Sequence, residues 1–357
     1  MINISIVIPV YNVSQYIRRC IDSILNQESA DCDIECILVN DDTPDDSMAI
    51  VYDMVDHYNG NCHFVFCNHE TNKGLSAARN TGLFAATGDY IIFIDSDDHF
   101  TADCLEKMTK AISKYPQVDM VLGNAFYCKY GGLFFPPVEE ITVYSDNSKM
   151  LCDSFAGVLP TFAWNMLIRR DFLLRNNFLF VNNLLNEDMP WCYRLYSELG
   201  SMAVLPDVTY IYEDNTGSIT NTTGEKIDDI VRSFCGIIDY IQDNIYEKVW
   251  VDSMIYCYSI WLRTMNKASE YGCSKSKQKE MERIKHQLFY KALQTLHIFM
   301  AILFLTAFKP FSYIYKFSWI RRKYDKMTKI ISVIENYIDK IRFSFNHSLS
   351  FGGIKHG

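Results

Sequence analysis

Five apolar or aromatic residues in a row, Tyr90-Ile91-Ile92-Phe93-Ile94, run directly into Asp95-Ser96-Asp97-Asp98. A run that is apolar at every position has no solvent face, so it reads as a strand in the middle of a parallel sheet, covered on both sides. Residues 4–10 read as another buried strand, and residues 35–39 and 63–67 as a second and a third strand. Between them lie helical stretches: one carries Ile17, Ile21, Ile24 and Leu25 on one face, with Ser14 as the expected N-cap, and the others cover residues 49–57 and 75–86. Strand and helix alternating in this way predict βαβ units and an α/β fold on a mainly parallel sheet.

The acidic ending then asks for a cation. Asp95 and Asp97 are two apart, and if the chain is still extended they project to one side. Two such anions repel by about 1 kcal/mol in water and by more where the dielectric is lower. Mg²⁺ or Mn²⁺ suits them, because these ions take one or two carboxylates together with phosphate oxygens and waters. The alternative is an acidic turn in which Asp98 caps a helix beginning near Thr101. Asn12, Asp41 and the aspartate trio each follow a different strand, and open α/β sheets bind ligands outside the carboxyl ends of their strands. Neither a G-x-G-x-x-G nor a P-loop pattern is present, which argues against a dinucleotide fold and a P-loop.

After Val118 the alternation fades into two antiparallel-looking stretches, residues 119–126 and 133–143, joined by a Tyr-Gly-Gly turn. A short helix after Arg170, a helix opened by Asn186-Glu187-Asp188 and a strand at residues 208–212 follow. The Ser/Thr/Asn-rich stretch 217–224 marks the expected boundary between a domain of residues 1–222 and a helical, basic region of residues 223–357. The whole chain is net −9, yet from Cys273 onward 16 Lys and Arg stand against 5 Asp and Glu. The acidic remainder would repel nucleic acid, so no nucleic-acid partner is expected. The twelve cysteines are irregularly spaced without a ligand pattern and read as free thiols in a reducing compartment. The chain opens without a secretory signal, which places the expected activity in the cytoplasm.

In the basic region, residues 296–308 are apolar but too few to span a bilayer, which takes about 20 residues. With Lys309, Lys316, Arg321, Arg322, Lys323, Lys326 and Lys329 they predict an amphipathic segment on an anionic membrane surface, peripheral to the inner face of the cytoplasmic membrane. A helical hairpin packed on the first domain or on a second copy is the alternative.

Several of these pieces also occur in a fixed order: Ser5-Ile-Val-Ile-Pro-Val-Tyr-Asn12, Val39-Asn-Asp41, Asn72-Lys-Gly-Leu-Ser-Ala-Ala-Arg79-Asn80-Thr-Gly82, Gly88-Asp-Tyr, Asp95-Ser-Asp97-Asp98, Trp164-Asn165, Glu187-Asp188, and Tyr212 through Ser218-Ile219. Each is weak alone; in sequence they are specific. Over residues 3–220 the chain resembles the family-two glycosyltransferases of GT-A fold that build bacterial capsule, exopolysaccharide and O-antigen.

The resemblance implies a GT-A type fold, a Rossmann-like mixed sheet flanked by helices, with a C-terminal helical extension. It implies an inverting, metal-dependent hexosyltransferase acting on a nucleotide-diphosphate sugar, UDP first, and a saccharide or lipid-linked saccharide acceptor. Asp41 would bond the nucleotide base, with Pro9, Tyr11 and Asn12 shaping the pocket. Arg79 would face the diphosphate or form a surface ion pair. Asp95 and Asp97 resemble the DxD element, Asp95 toward ribose or metal-bound water and Asp97 as direct ligand of Mn²⁺ or Mg²⁺, with Asp98 a further candidate. Asp188 resembles the catalytic base, and Trp164 and Glu187 fall at acceptor positions; Glu187-Asp188 also reads as acidic residues at a helix N-terminus. The chain departs from the pattern at Asp42, Thr43 and Pro44 after the second strand, at Met166 where lysine is frequent, and at Asn215 where arginine is frequent. Competing readings are a catalytically degenerate scaffold or binding subunit, and a sugar-phosphate nucleotidyltransferase, which would be expected to carry a glycine-rich basic loop where Pro9-Val10-Tyr11-Asn12 stands.

Overall fold

The computed structural model describes residues 2–27, 32–213, 215 and 227–294. The first half follows the alternation read from the sequence: β1 (Ile2–Val10), α1 (Ile17–Leu25), β2 (Cys32–Asn40), α2 (Ser47–Asp56), β3 (His63–Asn68), α3 (Leu75–Ala85) and β4 (Tyr90–Phe93). Then come β5 (His99–Phe100), α4 (Cys104–Lys114), β6 (Met120–Tyr127), β7 (Gly132–Leu133), β8 (Thr142–Tyr144), α5 (Asn147–Phe155), β9 (Met166–Arg169), α6 (Arg170–Arg175), α7 (Asp188–Glu198) and β10 (Met202–Tyr212). Three helices close the described chain, α8 (Ile227–Asp243), α9 (Trp250–Tyr271) and α10 (Lys275–Gln294).

The strands form one sheet in the order β3-β2-β1-β4-β9-β6-β10-β5, with β7 on β6 and β8 on β10. β3, β2, β1 and β4 are mutually parallel, as are β6 and β10, and β9 runs antiparallel between the two groups. The central strands have no exposed face: Ile4, Ile6, Val7, Ile8, Ile37, Leu38, Ile91, Ile92 and Phe93 are all fully buried. This is the mixed, mainly parallel α/β sheet that the apolar runs demand.

Four local expectations are corrected. Residues 133–143 are not one strand, because β7 is a two-residue hairpin partner of β6 while β8 pairs with β10. Residues 119–126 have one parallel neighbour, β10, so the region is not simply antiparallel. Ser14 does not cap α1; its backbone N–H donates to Asp45 Oδ2 at 2.8 Å and the helix starts after Tyr16. Residues 95–98 are a turn closed by the Asp98 N–H on the Asp95 carbonyl at 3.0 Å, and Asp98 caps nothing, since α4 begins only after Asp103.

The chain divides into two compact units, residues 1–151 with 160–222, and residues 152–159 with 223–357. In the second, Trp261 is buried with its indole N–H on the Met281 carbonyl at 3.0 Å, and Arg283 pairs with Asp239 at 2.7 Å, so α10 is packed on α8 and α9. No helix of the described residues is long and apolar enough to cross a membrane. Residues 217–224, including Ser218 and Ile219, and the apolar and basic segment 296–329 lie outside the described residues.

Candidate active site

The carboxyl ends of β1, β2 and β4 carry the expected polar residues. After β1, Tyr11 is exposed and Asn12 takes a left-handed φ of 55°; the Asn12 N–H donates to Thr43 Oγ1 at 2.8 Å. Pro9 is buried at the end of the strand. The Thr43 hydroxyl in turn donates to Asp45, so the loop after β2 and the loop after β1 are tied together.

Asp41 is buried and heavily engaged. Its Oδ1 accepts from the Lys73 N–H at 2.8 Å and meets His69 Nδ1 at 2.5 Å, and its Oδ2 accepts from the Gly74 N–H at 2.8 Å. His69 reaches on to Thr81 Oγ1 at 2.9 Å. The carboxylate thus fixes the turn leading into α3, and among the described residues one of its roughly four acceptor sites, on Oδ2, takes no hydrogen bond.

Arg79 is the hub. It is fully buried on α3, not at the surface. Nη1 donates to Glu187 Oε1 at 2.6 Å and to Asp188 Oδ1 at 2.7 Å, and Nη2 donates to Asp95 Oδ1 at 2.8 Å. The guanidinium lies 5.2 Å from the Phe180 ring, and Nε is without a partner among the described residues. Asn80 fixes that ring through two bonds of 2.9 Å to the Phe180 backbone. Sequence reading left Asn80 and Phe180 without a role, although Asn80 directly follows Arg79.

Asp95 and Glu187-Asp188, some ninety residues apart, are therefore gathered on one cation. Asp188 opens α7, keeps 17% of its side chain accessible and is hydrogen-bonded to the Ala163 backbone. Burial pushes its carboxyl up to about 8, aided by the charges of Glu187 and Asp95 and opposed by Arg79. Glu187 is buried against Arg79. Trp164 is buried as well, stacked on Phe162 at 3.4 Å and on Tyr210 at 4.3 Å. Met166 is buried in β9.

The three aspartates differ. Asp95 stays partly accessible, with 24% of its side chain exposed. Asp97 accepts from Asn215 Nδ2 at 2.9 Å, and its carboxyl is pushed up by burial and then by Asp95. Asp98 is buried, accepting from the Tyr210 hydroxyl at 2.8 Å and the Glu213 N–H at 2.8 Å, which makes it a brace between the turn and β10. No group of three or more His, Cys, Asp or Glu side chains could hold a metal by itself among the described residues. A diphosphate-borne Mg²⁺ or Mn²⁺ needs fewer, and the Asp97 carboxylate, disfavoured beside Asp95 without a counter-ion, fits such an ion.

The chain matches the family described as Glycosyl transferase family 2 over residues 5–177. It is 34% identical over 223 residues to the uncharacterized glycosyltransferase EpsJ of Bacillus subtilis (strain 168), covering 61% of this chain and 62% of that relative. It is 31% identical over 232 residues to glycosyltransferase GlyG of Streptococcus pneumoniae serotype 4, covering 61% of this chain and 73% of GlyG. The match thus spans less than two thirds of EpsJ. The fold is similar to that of S. aureus TarS 1-349 in complex with UDP-GlcNAc, with a TM-score of 0.62, 19% identity and 80% of each chain covered. Ordered motifs, strand-end site and relatives agree, and the chain belongs to glycosyl transferase family 2.

Proposed function

We propose that the chain is an inverting hexosyltransferase that moves a sugar from a nucleotide-diphosphate sugar, UDP by preference, to a saccharide or lipid-linked saccharide in cell-surface polysaccharide synthesis. The observation that carries this reading is the single guanidinium of Arg79 bonded to both Asp95, on the donor side, and Asp188, on the acceptor side. The donor's base and ribose fall to the strand-end residues around Asp41, Asn12 and Asp95. UDP is favoured by the free acceptor site on Asp41, which suits a uracil N–H, and by the UDP-GlcNAc bound in the similarly folded TarS.

In the transfer, Asp188 takes the proton of the acceptor hydroxyl while that oxygen bonds to the anomeric carbon. The bond from that carbon to the diphosphate breaks on the opposite face, UDP leaves with the electron pair, and the configuration inverts. Asp97 and Asp95 would hold Mn²⁺ or Mg²⁺, which would supply positive charge to the leaving diphosphate. The accessible edge of Asp188 gives the hydroxyl its approach, while Arg79 and Ala163 fix the carboxylate in place. We extend the reading to peripheral attachment at the inner face of the cytoplasmic membrane through the basic sequence beyond residue 294.

The test is Asp188→Asn. UDP release from UDP-glucose, UDP-galactose and UDP-N-acetylglucosamine with added saccharide acceptors should fall by about 10²–10⁴-fold, with UDP binding by calorimetry unchanged. Transfer at the wild-type rate would remove Asp188 from the mechanism.

A further inference from the structure

Trp164 and Glu187, the residues expected at the acceptor, are both buried, and Glu187 faces Arg79. Trp164 is covered on one side by Phe134, which follows the hairpin of β6 and β7. Its tip, Tyr130-Gly131-Gly132, turns through a left-handed Gly131 (φ 65°), and Tyr130 and Phe134 are each 40% exposed. Phe134 stands edge-on to Trp164 at 5.4 Å and to Phe162 at 5.1 Å, and stacks on Tyr127 at 5.8 Å. Tyr130 is edge-on to Tyr127 at 4.7 Å.

Resting on the proposed transfer, we infer that the Phe134 ring forms the acceptor platform, with Tyr130 standing steeply to it as a side wall, and that its occupant is a pyranose with one face free of hydroxyls. Continuity with the base is the first argument. Asp188 is hydrogen-bonded to the backbone of Ala163, and Ala163 separates Phe162 from Trp164, the two rings that support Phe134. A sugar lying on Phe134 therefore sits over the segment that holds the proton acceptor. Chemistry is the second. A partly exposed Phe134 ring favours a ligand with both an apolar face and hydroxyl edges, which a β-glucopyranoside has and an ionic ligand lacks. Rigid support is the third, since the rings beneath are packed and lose little freedom when a ligand arrives.

Saturation-transfer NMR with octyl β-glucopyranoside, kept below its micelle concentration, and with methyl β-glucopyranoside reads the platform without any donor. Irradiating the aromatic protons should saturate the sugar-ring C–H protons, and Phe134→Ala and Tyr130→Ala should each cut that transfer by about two- to tenfold. Phe134→Leu keeps the apolar bulk without the ring and guards against a fold defect; it should lose transfer like Phe134→Ala. Tyr52→Ala is the control, a ring 42% exposed and packed on Phe66 on other elements, and should change nothing. Saturation of the octyl chain instead of the ring would name a lipid occupant and overturn the proposal. So would ring saturation that survives in Phe134→Leu, or its absence from the wild type. UDP binding, followed in the same samples, reports separately on the donor site: its failure with ring saturation intact would sink the transferase reading and leave the platform standing.

Discussion

One guanidinium serving three carboxylates makes Arg79 the residue on which the site depends. A fully buried cation is tolerated only with such partners, and removing one member of a buried charge group typically costs about 3–5 kcal/mol because the rest are left uncompensated. Arg79→Met should therefore lower the melting temperature sharply. Arg79→Lys keeps the charge but cannot span Asp95, Glu187 and Asp188 together, so it should retain more stability than Arg79→Met and still lose on the order of 10²-fold in transfer. Thermal melts and initial rates on the two variants separate charge from geometry, and wild-type rates in Arg79→Lys would dismiss the fork. As the proposed base, Asp188 would set the pH response. A base works only when ionised, and burial raises this carboxyl to about 8, so kcat/KM should climb with pH and level off near 8, with the limb absent in Asp188→Asn. The raised value carries an opposite sign for folding: stability from this group is full below the ordinary carboxylate range and is lost as pH rises toward 8. Asp95 and Asp97 stood out by their spacing at a strand end and Asp188 only through the family resemblance, whereas the depth of Arg79 did not show, because an arginine on a helix of small residues reads equally well as surface. Asp98 was misleading for the same reason: nothing local shows that Tyr210, more than a hundred residues away, takes its carboxylate inward.

At the level of elements, α3 must lie very close to β1 for Arg79 to reach the strand ends. Gly82 allows it: a Cβ there would meet Val7 Cγ1 at 2.2 Å, and Val7 is fully buried and branched, with no room to withdraw. Gly82→Ala should cost about 1–3 kcal/mol, read as a lower melting temperature. It should also weaken transfer more than its stability loss explains, because Arg79 lies one turn away on the same helix. An unchanged melting temperature would mean that the helix simply shifts. The parallel half of the sheet was readable because β1, β2 and β4 carry buried apolar runs and β1, β2 and β3 are each followed by a helix. The second half was not. β9 is a four-residue strand whose place between β4 and β6 depends on long-range pairing, and β8 joins β10 across nearly sixty residues. Short strands of this kind have too few residues for alternation to show.

For the molecule as a whole, charge is distributed unevenly along the sequence. Residues 295–357 hold ten Lys and Arg against three Asp and Glu, in a chain that is net −9. Each basic group near an anionic surface contributes about 1 kcal/mol, and the attraction fades with salt as the Debye length shortens. The place to cut the chain is decided by α10, not by the start of the basic composition. Met281, Ile284 and Leu288 are buried, and Lys291 donates to the Gln242 carbonyl, so ending the protein near Tyr271 would strip a packed helix from α8 and α9. A chain ending at Gln294 keeps that unit. The 357-residue chain should co-sediment with vesicles containing anionic phosphatidylglycerol, bind less as salt rises, and ignore vesicles of phosphatidylcholine alone. The chain ending at Gln294 should stay in the supernatant with its melting temperature unchanged. Equal sedimentation of both would move the attachment out of the tail, and salt-independent binding would replace electrostatic attraction by burial of residues 296–308.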